Sequence, residues 1–160
     1  MHEWLDKNFA YIFPVYLVTM WIIVGYVIAL AGGWRLLAQR FRIQGDFLGQ
    51  KWTMQSARMR TLANYNNVLT VGADNAGLFI VPFFLFRAWH APLYIPWVEI
   101  TVRNKTRLYF FRFVELRLGR SEQIPFTINA RLAARIEAAA GPGWPGESAG
   151  AADSPPPPIG

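Results

Sequence analysis

Ala10 to Gly33 reads AYIFPVYLVTMWIIVGYVIALAGG, 24 residues without a charged side chain, and no other stretch restricts the fold as strongly. At about 1.5 Å per residue a helix of that length extends roughly 36 Å, against a bilayer hydrocarbon core of about 30 Å. In lipid only a helix satisfies all of its own backbone hydrogen bonds. The run therefore predicts a single transmembrane helix over residues 10–33, with 1–9 as a short extracytoplasmic N-terminus. Pro14 falls close to the helix start, where a missing amide donor costs little.

Two other structures compete for this stretch. Ala29-Leu30-Ala31 has the small-x-small form of a signal-peptidase site. However, the apolar run exceeds the roughly 7–15 residues of a signal core, and Glu3 and Asp6 beside Lys7 replace the usual positive leader. A buried core helix would need a large protein around it, because this one is apolar on every side. Arg35, Arg40, Arg42, Lys51, Arg58 and Arg60 follow the run against only Asp46, so the positive-inside rule gives N-out, C-in. Trp4 and Tyr11 on one side and Trp34 on the other are the expected interfacial aromatic anchors, with Arg35, Arg40 and Arg42 reaching headgroups by snorkelling.

What remains after the span has room for one small domain of about 90 residues. The net charge of +6 lies mostly on the C-terminal side and favours an anionic leaflet as neighbour. No nucleic-acid-reading motif accompanies the scattered arginines. With no cysteine the chain has neither disulfides nor cysteine-ligated metals.

WRLLAQRFRI, residues 34–43, is helix-forming and is expected to prolong the spanning helix for two or three turns; Gly45, Asp46 and Gly49 then open a linker to residue 50. From Lys51 the pattern turns to β-branched and aromatic residues. Lys51–Arg60, Asn66–Val71, Gly77–Phe86, Pro92–Val102, Arg107–Leu118 and Gln123–Ile128 read as strands. Turn residues separate them at Gly72–Gly77, Arg87–Ala91, Arg103–Thr106 and Gly119–Glu122, and the long fifth run is expected to break near Arg112. Six or seven strands with no helix between them imply an antiparallel meander. Asn129 as N-cap, ARLAARIEAAA and the stop Gly141-Pro142 give one closing helix. Residues 141–160, rich in Gly, Pro, Ala and Ser, read as a disordered tail. GLFIVPFFLF (77–86) is too short for a second span and is broken by Pro82. Being apolar on both sides, it needs either two covered faces or one face resting on lipid or a partner.

Gly-Trp-Arg-Leu-Leu-Ala after the span, Gly77-Leu-Phe, Phe86-Arg87 with His90-x-Pro92-Leu93, and Ile95-Pro96-Trp97-x-Glu99-Ile100 resemble a bacterial family of uncharacterised single-pass membrane proteins. The likeness covers roughly residues 33–140, and this chain has Ala91 where a second proline would be expected after the histidine. It implies a bacterial pleckstrin-homology-like (PH-like) domain over 51–140: a bent antiparallel barrel of six or seven strands capped by a C-terminal helix. It also implies a bacterial inner-membrane location and no catalytic activity or cofactor.

Residues that carry chemistry are sparse. His2 and His90 lie on opposite sides of the proposed membrane, and HExxH, P-loop and GxSxG patterns are missing. Glu99, the one acid in an apolar strand, is expected to pair with an arginine. Two non-catalytic functions follow. In the first, the domain is a scaffold docking on another membrane protein or complex through Phe83, Phe84, Phe86, Arg87, Trp89, His90 and Trp97, aromatic residues beside an arginine as in interface anchors. In the second, Lys51, Arg58 and Arg60 hold an anionic lipid headgroup, with alternate arginines on one strand face.

Overall fold

The computed structural model describes the main chain of residues 2–108 and 111–146, and the side chains of residues 8–103 and 111–146. Its first element is α1 (His2–Ala31), which carries the apolar stretch Asn8–Ala31 and is long and apolar enough to cross a membrane. Thr19, the polar residue in mid-run, satisfies its hydroxyl on the Val15 carbonyl at 2.8 Å.

The helix does not run on through the following ten residues. Gly33 takes φ 77°, the left-handed conformation that glycine adopts without steric cost and that ends helices. The chain turns there into a separate α2 (Trp34–Phe41). The joint is tight: a Cβ at Gly32 would meet Ala63 at 2.9 Å, and one at Gly33 would meet Ile124 at 2.7 Å. Trp34, Leu37 and Phe41, three and four residues apart, form the buried face of α2, which packs into the main core.

Seven strands follow: β1 (Gln50–Met59), β2 (Ala63–Ala73), β3 (Gly77–Pro82), β4 (Leu93–Pro96), β5 (Ile100–Leu108), β6 (Phe111–Leu118) and β7 (Ile124–Asn129). They form one antiparallel sheet in the order β4-β3-β2-β1-β7-β6-β5, curled until it nearly closes. β1 pairs with both β2 and β7, and register shifts on either side of Gln55 bend it, with Met54 at φ 56°.

The expected single strand Pro92–Val102 is two. β4 and β5 are opposite edges of the sheet, and the 3-10 turn Trp97–Glu99 carries the chain from one to the other. The expected turn at Arg103–Thr106 lies inside β5. The break expected near Arg112 comes earlier, between Leu108 and Phe111, and the two linking residues lie outside the described residues. Arg112 itself pairs opposite Arg107.

α3 (Ala130–Ala140) begins as expected at Asn129, whose side chain accepts the Leu132 amide at 2.7 Å, and buries Leu132, Ala133, Ile136 and Ala140. Order continues past it, against the expectation of a disordered tail from 141. Gly141–Gly143 form a 3-10 turn, and Trp144 packs edge-on against Trp97 at 5.6 Å. The rest of that tail, from 147, lies outside the described residues.

The strand β3 is covered on both faces. Leu78 and Ile80 enter the main core; Phe79 and Val81 point the other way into a small cluster built by the linker. There Phe47 stacks on Phe79 at 4.8 Å with the rings nearly parallel, and Tyr94 tilts against it at 5.9 Å.

Candidate functional site

Pro82 ends β3 because it has no amide to continue the ladder. The chain then coils tightly: the Phe83 amide donates to Val68 O (2.6 Å), Phe86 to Phe83 O (2.9 Å), Arg87 to Phe84 O (3.2 Å) and His90 to Arg87 O (3.3 Å). Phe84–Phe86 is a 3-10 turn. The side chains of Phe83, Phe84, Leu85 and Trp89 are left large, apolar and exposed.

This loop lies along α1. Phe86 meets Trp21 at 5.7 Å between ring centroids, and Trp89 meets Tyr26 edge-on at 5.4 Å. Small residues on one face of the helix make the approach feasible. Gly25 brings the helix so close that a methyl there would touch Trp89 at 3.5 Å, Ala29 is fully buried, and Gly32 abuts Ala63. The spacing of four and three residues sets them on a single stripe.

His90 fastens the returning end of the loop. It is 1% exposed, and its two ring nitrogens are committed in different directions. Nδ1 lies 3.1 Å from the Phe86 carbonyl, which can only accept, so Nδ1 carries the proton. In the neutral ring Nε2 then accepts from the Tyr65 hydroxyl at 3.0 Å. Burial lowers the His90 pKa, partly offset by the bond to Phe86. Burial also pushes the Tyr65 hydroxyl far above its ordinary range. Both groups are thus held neutral, in the states the hydrogen bonds need. Trp34 packs edge-on against His90 at 5.0 Å, and its indole N–H donates to Ala91 O at 2.9 Å.

The candidate interface therefore divides. Phe83, Phe84, Arg87 and Trp89 are exposed and Phe86 is partly so, whereas His90 and Trp97 belong to the interior. Trp97 donates its indole N–H to Asp74 O at 2.8 Å. Asp74 also accepts from the Ala76 and Gly77 amides and from Tyr94, whose hydroxyl is pushed up to about 12 by burial and by that carboxylate. Trp34, expected at the membrane surface, is in the core for the same reason as α2: the chain turns at Gly33. Tyr11 is exposed on α1, and the side chain of Trp4 lies outside the described residues.

The basic triad is not assembled. Lys51 and Arg58 are seven residues apart on β1, roughly 20 Å in a strand. Arg58 is held by Asn64 at 3.0 Å, and the Arg60 guanidinium folds over Gly33. Arg40 bridges Glu122 at 3.1 Å and Glu99 at 3.6 Å, so it ties α2 to the sheet, and the partner expected for Glu99 is found. Arg35 donates to the Tyr26 hydroxyl at 3.1 Å, and Arg42 is exposed. Among the described residues no group of three His, Cys, Asp or Glu side chains comes together to hold a metal.

Tyr65, Gly25 and Phe47 were not singled out from sequence. The Gly25-xxx-Ala29 spacing in the apolar run was the available signal for the Gly25 contact; Tyr65 and Phe47 carry no local mark. Comparison of the chain with protein-family models, with curated proteins and with solved structures gives no match.

Proposed function

We propose that the chain is a non-catalytic, membrane-anchored binding module. On this reading α1 crosses a bacterial inner membrane once, N-out and C-in, and the β-domain is a PH-like barrel that docks another membrane protein at the cytoplasmic face. The strand order with its capping helix supports the PH-like assignment.

The observation that carries the reading is the way α1 is fixed to the barrel. A flexible tether would let the domain search the cytoplasm, but here only Gly32 and Gly33 separate the helices, and both are packed on the sheet. Trp89 and Phe86 add a second attachment higher on α1. A domain held in one pose beside its own anchor presents a constant face to neighbours in the same membrane, which spares the orientational search that slows docking.

The test is purification of the full chain in mild detergent. One integral membrane protein is expected to accompany it in fixed ratio, and to be retained less well by Trp89→Ala, which weakens the second attachment of the barrel to α1. A lone, monodisperse chain overturns the docking function.

A further inference from the structure

We propose that the β3–β4 loop lies inside the hydrocarbon of the cytoplasmic leaflet, a wedge docked on α1 with Phe83, Phe84 and Leu85 resting on acyl chains. This rests on α1 being a span and names what that site meets in the partner-free protein.

The helix serves as a ruler. Asn8–Ala31 is 24 residues, about 36 Å of helix for about 30 Å of hydrocarbon, which leaves about 6 Å of slack. Trp21 lies ten residues before Ala31, about 15 Å along the axis. Even with all the slack at the cytoplasmic end, Trp21 sits about 9 Å inside the hydrocarbon. Phe86 packs against it at a tilt. Keeping the loop in water would leave only Asn8–Met20 to cross, about 20 Å of helix and too short for a span.

The loop is built for that position. Residues 82–86 carry no charge. Pro82 has no amide, and the amides of Phe83, Phe86 and Arg87 are bonded within the fold, which spares that part of the loop's backbone the need for water. Phe83, Phe84 and Leu85 are 47%, 62% and 49% exposed, an apolar ridge that the protein itself leaves uncovered. Nearer the end of α1 the contacts become amphipathic: Trp89 on Tyr26, and Tyr26 bonded to Arg35. This is the aromatic and basic composition of a membrane–water boundary. The exposed Arg87 has a stem long enough to carry its guanidinium from the loop toward headgroups.

The cysteine-free chain allows a direct measurement. The full-length protein, carrying a nitrobenzoxadiazole label on Phe84→Cys or Leu85→Cys, is reconstituted into phosphatidylethanolamine–phosphatidylglycerol vesicles with brominated acyl chains. Thr19→Cys marks the span, and Leu48→Cys, on the exposed linker, marks water. Brominated lipid is expected to remove more than about half of the emission at positions 19, 84 and 85 while sparing position 48, which aqueous iodide quenches instead. If position 19 is quenched by the lipid and both loop labels are not, the wedge is wrong and the span stands. That holds whether iodide reaches the loop or a second copy of the chain covers it. If position 19 escapes as well, the span reading fails and the wedge falls with it.

Discussion

Two adjacent stretches, Gly77–Pro82 and residues 83–89, are both rich in large apolar side chains and end up in different surroundings. The first is buried along its whole length, Leu78 and Ile80 on the barrel side and Phe79 and Val81 under Phe47. The second leaves Phe83, Phe84 and Leu85 exposed, while Phe86 and Trp89 meet rings of α1. The difference is not hydrophobicity but whether the chain supplies a cover. Phe47 reaches back over β3, while past Pro82 the rings of α1 meet Phe86 and Trp89 and leave Phe83, Phe84 and Leu85 exposed.

That contrast can be broken from either side, by thermal unfolding of the full chain in detergent micelles. Ile80→Ala, at a fully buried site, is expected to cost about 2–5 kcal/mol through lost burial and a cavity. Phe47→Ala strips the outer cover and leaves Phe79 and Val81 as bare as the loop; a loss of about 2–3 kcal/mol is expected, along with greater binding of a hydrophobic dye. A destabilisation of Phe47→Ala near zero would mean that β3 does not need its second cover.

His90→Leu comes next. It leaves the Tyr65 hydroxyl and Phe86 carbonyl unpaired, at about 1–3 kcal/mol, and should make the 83–92 loop the first site of proteolysis. The pH dependence has a definite sign. Because the folded pKa of His90 lies below the unfolded value of about 6.5, the unfolded chain takes up the proton first. The histidine's contribution is therefore complete above pH about 6.5 and is lost as pH falls through the lower folded value. The gap in melting temperature between native protein and His90→Leu should be widest near pH 7 and narrow toward pH 5. A gap that widens on acidification would contradict the neutral, Nδ1-protonated ring. Smallest of all, Phe84→Ala should change stability by less than about 0.5 kcal/mol in the same micelles, since its side chain is largely exposed and its ring meets the likewise exposed Phe83.

Much of the scaffold was legible because it depends on local patterns. The charge-free run, the strand alternation, the Asn129 cap and the helix-forming stretch after it each carry their own signal, and each appears within a few residues of its expected place. The errors share a cause, which is that tertiary neighbours decided them. Trp34 and Leu37 have the spacing of an interfacial helix and of a core helix alike, and only the turn at Gly33 selects the core. Pro92–Val102 reads as one strand because nothing local says that its halves belong to opposite edges of a sheet. Trp97 and His90 look like anchors for a partner until Asp74 and Tyr65, 23 and 25 residues away, claim their polar atoms. The three basic residues stay apart for a geometric reason: Lys51 and Arg58 are seven residues apart along β1, and Arg60 lies in the turn beyond its end.

The two-glycine joint between α1 and α2 has a mechanical consequence. A helix longer than the hydrocarbon it crosses adjusts to a thinner bilayer by leaning. With no slack at Gly32–Gly33 and a second clamp at Trp89, such a lean would not be absorbed at the membrane surface. With α1 as the proposed span, it would swing the whole barrel, and lipid thickness would set the angle at which the β-domain meets its surroundings.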